Sequence, residues 1–400
     1  MTQEVLADFL WLTRSQIARL ETGKSQLTAH TKTELATIFN VAPAYFEEGY
    51  FNPGFDGKLD SFFEDILLEK ASEPLLIPLA ERYSLSMEQE ISWCFLLIAY
   101  YFKKGEFIRA NQIIEEEMDI FNPSEDCLKN SKISKYYFFY KVECDYLNKD
   151  LSTSYTYSKL LIPLLHEKSL KGSLLLQMAK ISLESYQNGR AYLEAMEAYD
   201  LLSGTHLYKL QARALTLCSS TSNTLKLTKE AHYYLEKLLV IADQNKFPDY
   251  IGIYHQHKGF MCKQEKDFDQ ALFHYEQSAK AMENPIGKMG ALISLISTHL
   301  YLRNLEKAKE YLQKMNEMDL SSYEEFIALS FEAQIQLYEG KIKEHGQKLK
   351  KVEQYFIENK RTKDLEYVYT YLATYYSSKN AYKKATEYFM KREQLNEKND

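Results

Sequence analysis

Residues 259–282 read GFMCKQEKDFDQALFHYEQSAKAM, and this stretch decides the fold. It predicts a helical hairpin. Gly259 stands where two helices pack closely, and Ala271 lets the second helix approach. Phe268 fills the hairpin, and Tyr275 wedges alongside. The same order recurs at the end of the chain with Ala373, Tyr382, Ala385 and Phe389. Weaker copies pair Ala308 with Leu312, Ala231 with Leu235 and Ala195 with Tyr199, and another runs from Gly340-Lys341-Ile342 to His345. KKGEFIRANQII (103–114), around Ala110, reads as the first unit, and Tyr155 marks a poor second.

Glycine, then alanine twelve residues on, then an aromatic sixteen on resembles the tetratricopeptide repeat. The markers at 110, 155, 195, 231, 271, 308, 345 and 385 are spaced by 36 to 45 residues. A sustained period near 40 predicts an all-α array of about eight helical hairpins in a right-handed solenoid. Composition agrees: 14 Gly and 8 Pro in 400 residues suit long helices with short turns.

Such hairpins bury their small and aromatic positions between neighbours and leave the inner faces of the first helices lining a groove. By repeat register that face includes Gln177, Lys180, Arg213, Asn223, Gln256, Lys263 and Gln334. Amides there can pair with a peptide backbone and cations with a carboxylate. Lys180, Arg213, Asn223, Gln256 and Lys263 are the expected peptide contacts. The stripe of tyrosines reads as core between repeats.

The first fifty residues are patterned differently. Thr13 and Gln16 form a capping box, with Leu12 and Ile17 as a hydrophobic staple, and Gly23 is placed as a left-handed C-cap. A short helix from about Arg14 to Thr22 follows. Its apolar face carries Ile17 and Leu20, and its other side carries Arg14, Ser15, Ala18 and Arg19. A preceding helix, about Gln3 to Phe9, offers Val5, Leu6 and Phe9 for burial. Thr31 and Glu34 predict a capping box for a third helix through Phe39, ended by Asn40, and Pro43 opens a fourth. Gln16 reads as a cap residue and Glu21 as a structural partner. Four cations against six carboxylates give this segment a net charge of −2, so any nucleic-acid role rests on local geometry.

TQEVLADFL (2–10), TRSQIARLETGK (13–24) and ELATIFNVAPAYF (34–46) resemble the Cro/C1-type helix-turn-helix family. The resemblance implies that Gln3, Thr13 and Lys24 hold phosphates and that Arg14, Ser15 and Arg19 face base edges in the major groove. Arginine can bind guanine O6 and N7 together. It also implies a further helix ahead of Thr2, so that the domain as it stands is incomplete. Trp11 occupies the tight turn, where the family has glycine or another turn-tolerant residue.

The remaining chemistry is negative. There is no phosphate loop of the G-x-x-x-x-G-K-S/T kind, no G-x-S-x-G and no H-E-x-x-H. His255 and His257 point about 200° apart on a helix, and with His274 they make a poor metal site. The five cysteines are odd in number and scattered, which suits reduced thiols in a cytoplasm. No cofactor, metal or catalytic nucleophile is expected. The chain has no apolar run of about 18 residues, and its first residues do not read as a signal peptide.

The expected organisation is an incomplete helix-turn-helix over 1–48, a linker over 49–62 around EEGYFNPGFDGK (47–58), and a repeat domain over 63–400. The combination resembles the peptide-sensing quorum regulators of Gram-positive bacteria: neutral-protease regulators, PlcR-type regulators and Rap phosphatases. That resemblance implies a cytoplasmic, dimeric transcription regulator controlled by a short oligopeptide. One alternative is a Rap-like chain that binds a response regulator and inhibits a sporulation-type phosphorelay. Another is a generic repeat scaffold.

Overall fold

Scarce glycine and proline leave long uninterrupted segments, and these fold as helices. The computed structural model describes residues 2–21, 24–41, 43–46, 53–77, 85–118 and 133–399. Every regular element among them is helical. The chain divides into two compact units, Met1–Ala214 and Leu215–Asp400.

The first unit opens with α1 (Gln3–Phe9), α2 (Arg14–Glu21) and α3 (Ala29–Phe39), followed by a 3₁₀ turn at Pro43–Phe46. Ala7, Leu10, Ile17 and Leu35 form their core, with Leu6, Leu12 and Leu20 packed against it. Val5 and Phe9, expected inside, are 44% and 57% exposed. The buried face of α1 instead carries Leu6, Ala7 and Leu10 at helical spacing, which places Val5 and Phe9 outside it. The N-cap of α3 is Thr28, not Thr31: Thr28 is extended, and its hydroxyl accepts the Thr31 amide at 3.1 Å. The helix thereby gains Ala29, His30 and Thr31. Asn40 ends it in the left-handed region, at φ 54°.

The glycine-rich stretch expected as a linker is helical from Pro53. There α4 (Pro53–Leu67) buries Phe55, Leu59, Phe62, Phe63 and Ile66. Their three-to-four spacing is an amphipathic stripe that two glycines in the first turns do not interrupt. Residues 47–52 lie outside the described residues, as does Gly23.

Eight helical hairpins follow among the described residues. In chain order they pair α5 (Met87–Lys104) with α6 (Phe107–Ile113), α7 (Ser134–Leu147) with α8 (Leu151–Leu161), and α9 (Lys168–Glu184) with α10 (Asn188–Leu202). Next come α11 (Tyr208–Thr224) with α12 (Thr228–Gln244), α13 (Pro248–Gln264) with α14 (Phe268–Ala281), and α15 (Pro285–Tyr301) with α16 (Leu305–Asn316). The last two pair α17 (Ser322–Tyr338) with α18 (Ile342–Glu358), and α19 (Thr362–Ser378) with α20 (Tyr382–Asn399). The division between the units falls inside α11.

The hairpin turns share one device. Each carries one left-handed residue: Gly105, Lys149, Tyr186, Lys226, Lys266, Arg303, Gly340 or Asn380, with φ between 57° and 79°. The amide after it bonds a carbonyl five residues back, as Gln187 to Ser182 at 2.8 Å and Asp267 to Cys262 at 2.9 Å. This is the Schellman closure, here built mostly without its preferred glycine.

The fourth residue of each second helix is the contact point of the hairpin. These are Ala110, Ser154, Ala191, Ala231, Ala271, Ala308, His345 and Ala385, all buried. The repeat register therefore runs through Ser154 and Ala191 rather than Tyr155 and Ala195. Serine fits because its hydroxyl bonds the Val142 carbonyl of α7 at 2.7 Å. His345 fits by the same means, its Nδ1 donating to the Ala333 carbonyl of α17 at 2.7 Å. At Gly259 an added Cβ would sit 2.8 Å from Tyr275 ring carbons, so the Tyr275 ring of α14 packs directly on the backbone of α13 there.

Candidate functional site

The turn between α1 and α2 sets the geometry of the helix-turn-helix. Trp11 takes φ 53° and is 92% exposed. The Leu12 amide bonds the Ala7 carbonyl at 2.9 Å and the Trp11 amide bonds Asp8 at 3.4 Å, again a Schellman closure. Tryptophan thus holds the position where glycine is preferred. At the start of α2 the Thr13 amide donates to Gln16 Oε1 at 2.8 Å, and the Gln16 amide donates to Thr13 Oγ1 at 3.3 Å. The capping box is complete, and Gln16 is a cap residue. The Lys24 amide bonds the Arg19 carbonyl at 2.8 Å and closes the far end.

Ile17 is buried at 1% exposure, whereas Arg14, Ser15 and Arg19 of α2 are exposed. Thr13 and Lys24 are also exposed, and Gln3 is half-buried. The structure joins two of these residues in a chain across α1 and α2. Arg14 pairs with Glu4 at 3.3 Å, and its Nε donates to Gln3 Oε1 at 3.4 Å. Gln3 Nε2 donates in turn to Glu21 Oε2 at 2.6 Å. Glu4 was missed in the sequence. Its spacing of ten residues from Arg14 crosses a turn, so helical periodicity gives no signal for it.

Within the first unit a cavity of about 430 Å³ opens between the end of α4 and helices α5, α7, α9 and α11. Lys180 and Arg213 line it together, with Gln177 one turn before Lys180 on α9. Lys103, Lys104 and Lys209 add three cations, against the carboxylates of Glu69 and Glu143. Arg213 pairs with Glu69, and Lys103 with Glu143 at 3.5 Å. The Lys180 ammonium lies 4.8 Å from the centre of the Tyr146 ring. Glu69 follows α4, outside the repeat register, and carries no sequence signal.

Within the second unit a cavity of about 540 Å³ is lined by Lys263, Ser297, Gln334, Tyr323, Tyr371 and Asp364, among others. Lys263 Nζ donates to Ser297 Oγ at 3.3 Å, and burial pushes its ammonium below the usual lysine range. Tyr371 donates to Gln334 Oε1 at 3.0 Å, and Tyr323 to Asp364 at 3.2 Å. Tyr371 stands one repeat after Gln334, so the register could have found it.

Gln256 and Asn223 line neither cavity. Gln256 Nε2 donates to Ser294 Oγ on α15 at 2.7 Å, and its Oε1 is buried without a hydrogen-bond partner. Asn223 lies in the last turn of α11, half-buried. The histidines pair directly: His255 and His274 place Nδ1 atoms 2.9 Å apart, and burial lowers both. Among the described residues no group of three His, Cys, Asp or Glu side chains is placed to hold a metal ion. Among them, too, no helix is long and apolar enough to cross a membrane.

A helix-turn-helix family model matches residues 1–46. No curated protein matches the chain. Among solved structures the chain is similar to the apo form of the quorum sensor NprR from B. thuringiensis. The identity is 15%, over 85% of this chain and 98% of that one, with a TM-score of 0.67. It is similar also to a Rap protein complexed with Competence and Sporulation Factor, at 15% identity over 86% and 98%, with a TM-score of 0.62. A third is aspartyl phosphate phosphatase F from Bacillus subtilis, at 16% identity over 88% and 96%, with a TM-score of 0.56.

The chain therefore combines an N-terminal helix-turn-helix with a helical-repeat array. Its fold is that of the solved Rap protein and of the quorum sensor NprR.

Proposed function

We propose that the protein is a peptide-responsive transcription regulator. A short signalling oligopeptide binds the repeat array and changes the affinity of the helix-turn-helix for DNA. One observation carries this reading: a single chain joins a capped α2, with Arg14, Ser15 and Arg19 exposed, to repeats whose cavities are lined by charged and hydrogen-bonding side chains. The fold shared with a quorum sensor and with a Rap protein bound to a signalling factor supports it.

In this reading residues 1–48 read DNA, and 63–400 sense the peptide. Gln3, Thr13 and Lys24 hold phosphates, and Arg14, Ser15 and Arg19 read bases. Lys180 and Arg213 take a peptide group in the first cavity, and Lys263 takes one in the second. Asn223 and Gln256 offer amides to the peptide backbone. The protein works in the cytoplasm as a dimer, and it regulates without catalysing a reaction. An array suits the task because small changes per repeat add along it, and a peptide spanning repeats prefers one curvature.

Selection of random duplex DNA on the full chain tests the reading. Enrichment of a defined site whose affinity shifts with added peptide is expected. Enrichment of no site, with or without peptide, overturns it. The likeness to an aspartyl phosphate phosphatase favours one second reading, in which the array binds a response regulator and restrains a phosphorelay. Capture of a response regulator by the chain, released by peptide, is its expected signature.

A further inference from the structure

The first-unit cavity already holds an anion, and the protein supplies it. The last turn of α4 ends there. The Ile66 carbonyl accepts Lys103 Nζ at 3.5 Å, and the Leu67 carbonyl accepts the Ser173 hydroxyl. These carbonyls are the negative end of the helix. Glu69 then turns back at φ 57°, with the Lys70 amide closing on the Asp65 carbonyl at 2.8 Å. That turn delivers the Glu69 carboxylate to Arg213. Among the described residues the lining holds five cationic side chains and two carboxylates. With Glu143 on Lys103 and Glu69 on Arg213, no carboxylate among the described residues of the lining is left for Lys104, Lys180 or Lys209.

From this we infer that the cavity is a carboxylate receptor and that Glu69 is its internal occupant. A carboxylate on a short peptide displaces Glu69 from Arg213 and is held there with Lys180. Charge-assisted bonds from a guanidinium favour a planar carboxylate over a neutral amide. The exchange has a mechanical consequence. Glu69 ties the end of α4 to α11, and α4 is the first described helix after the helix-turn-helix. Ligand binding therefore trades one tether of α4 for a ligand contact, and this is how occupancy of the array reaches the segment that follows the helix-turn-helix in the chain. The inference rests on the peptide-responsive reading and names the chemistry of its ligand.

The test offers the immobilised full chain three pools of random hexapeptides, with retention read by mass spectrometry. The first pool has a free C-terminus and no Asp or Glu. The second has an amidated terminus and one Asp or Glu. The third is amidated and carries no acid. Retention of the first or the second pool above the third is expected, and which of the two is retained tells a terminal carboxylate from a side-chain one. Glu69→Gln, which keeps the side chain's shape but not its charge, should raise that retention about tenfold by removing the internal competitor. It should also speed hydrogen exchange in the last turn of α4. Arg213→Met should reduce retention to that of the third pool. Equal retention of all three pools overturns the receptor while leaving peptide sensing intact. Lower retention by Glu69→Gln overturns the competition. Retention of no peptide from any pool overturns the peptide-responsive reading itself.

Discussion

Gly259→Ala tests the packing on which the repeat register depends. The added Cβ would meet Tyr275 Cδ1 and Cε1 at 2.8 Å and the Ala271 carbonyl at 3.1 Å. Tyr275 is 2% exposed and has no room to swing away, and the Ala271 carbonyl belongs to a helix backbone. Helices α13 and α14 must therefore part by several tenths of an ångström. Overpacking of this kind costs about 1–3 kcal/mol. Alanine recovers about 1 kcal/mol of helix propensity. The net expectation is a loss of up to about 2 kcal/mol. Gly290 supplies the control, since it lies inside α15 with nothing within 4 Å of its added Cβ. Gly290→Ala should stabilise by about 0.5–1 kcal/mol. Urea unfolding followed by circular dichroism, compared by midpoint, reads both. If Gly259→Ala shifts the midpoint upward as Gly290→Ala does, the close contact of α13 with α14 is not the origin of the repeat pattern.

The other predictions concern the reading head, the cavities and pH. Trp11→Gly relieves a left-handed tryptophan that buries little, and should stabilise the α1–α2 turn by about 0.5–1 kcal/mol, seen as slower hydrogen exchange of α1 and α2 amides. Faster exchange would mean that the indole contributes packing. Arg14→Ala should cost about 1–3 kcal/mol of operator affinity and relax one base position; a uniform loss across all sequences makes Arg14 a phosphate contact instead. Arg213→Ala combined with Asn223→Ala should weaken peptide binding at least tenfold by calorimetry, on the scale of about 1.4 kcal/mol per decade. Unchanged affinity would show that neither residue touches the peptide. Burial holds His257 down at about 4 and also lowers His255, His274, His299 and His345. The unfolded chain then takes up protons near pH 6.5 that the native state refuses. Stability is therefore full above about pH 6.5 and falls as pH drops toward 4, so Tm should decline from pH 7 to pH 5. A flat profile over that range would contradict buried neutral histidines.

Much of the fold was legible because the repeat writes its contacts in residue size. Ala231, Ala271, Ala308 and Ala385 mark contact points that only small side chains fill, and their spacing carries the register. The register slipped at Ser154, which occupies the small position by bonding a carbonyl of the preceding helix, and such a bond has no composition signal. It held at His345, which does the same, and it slipped again at Ala191, where Ala195 one turn on is an equally small residue. Leu6 and Leu10, not Val5 and Phe9, carry the buried face of α1, because a seven-residue helix leaves periodicity too few turns to choose a face. In α4 the glycines of a linker-like composition concealed an apolar stripe. The cavities were less legible than the fold. Register placed Lys180 with Arg213, and Lys263 with Gln334. Glu69, the partner of Arg213, comes from a turn outside the repeats, and Asp364, which accepts from Tyr323 in the second cavity, comes from a helix three hairpins after Lys263.

The central claim is that one chain couples a peptide on its repeats to DNA on its helix-turn-helix. Fluorescence polarisation of an operator duplex selected on the full chain, titrated with and without saturating retained peptide, tests it most directly. Coupling of the usual size predicts a shift in operator Kd of at least about fivefold, in either direction, that disappears in Arg213→Met. An operator Kd that is identical with and without bound peptide contradicts the account.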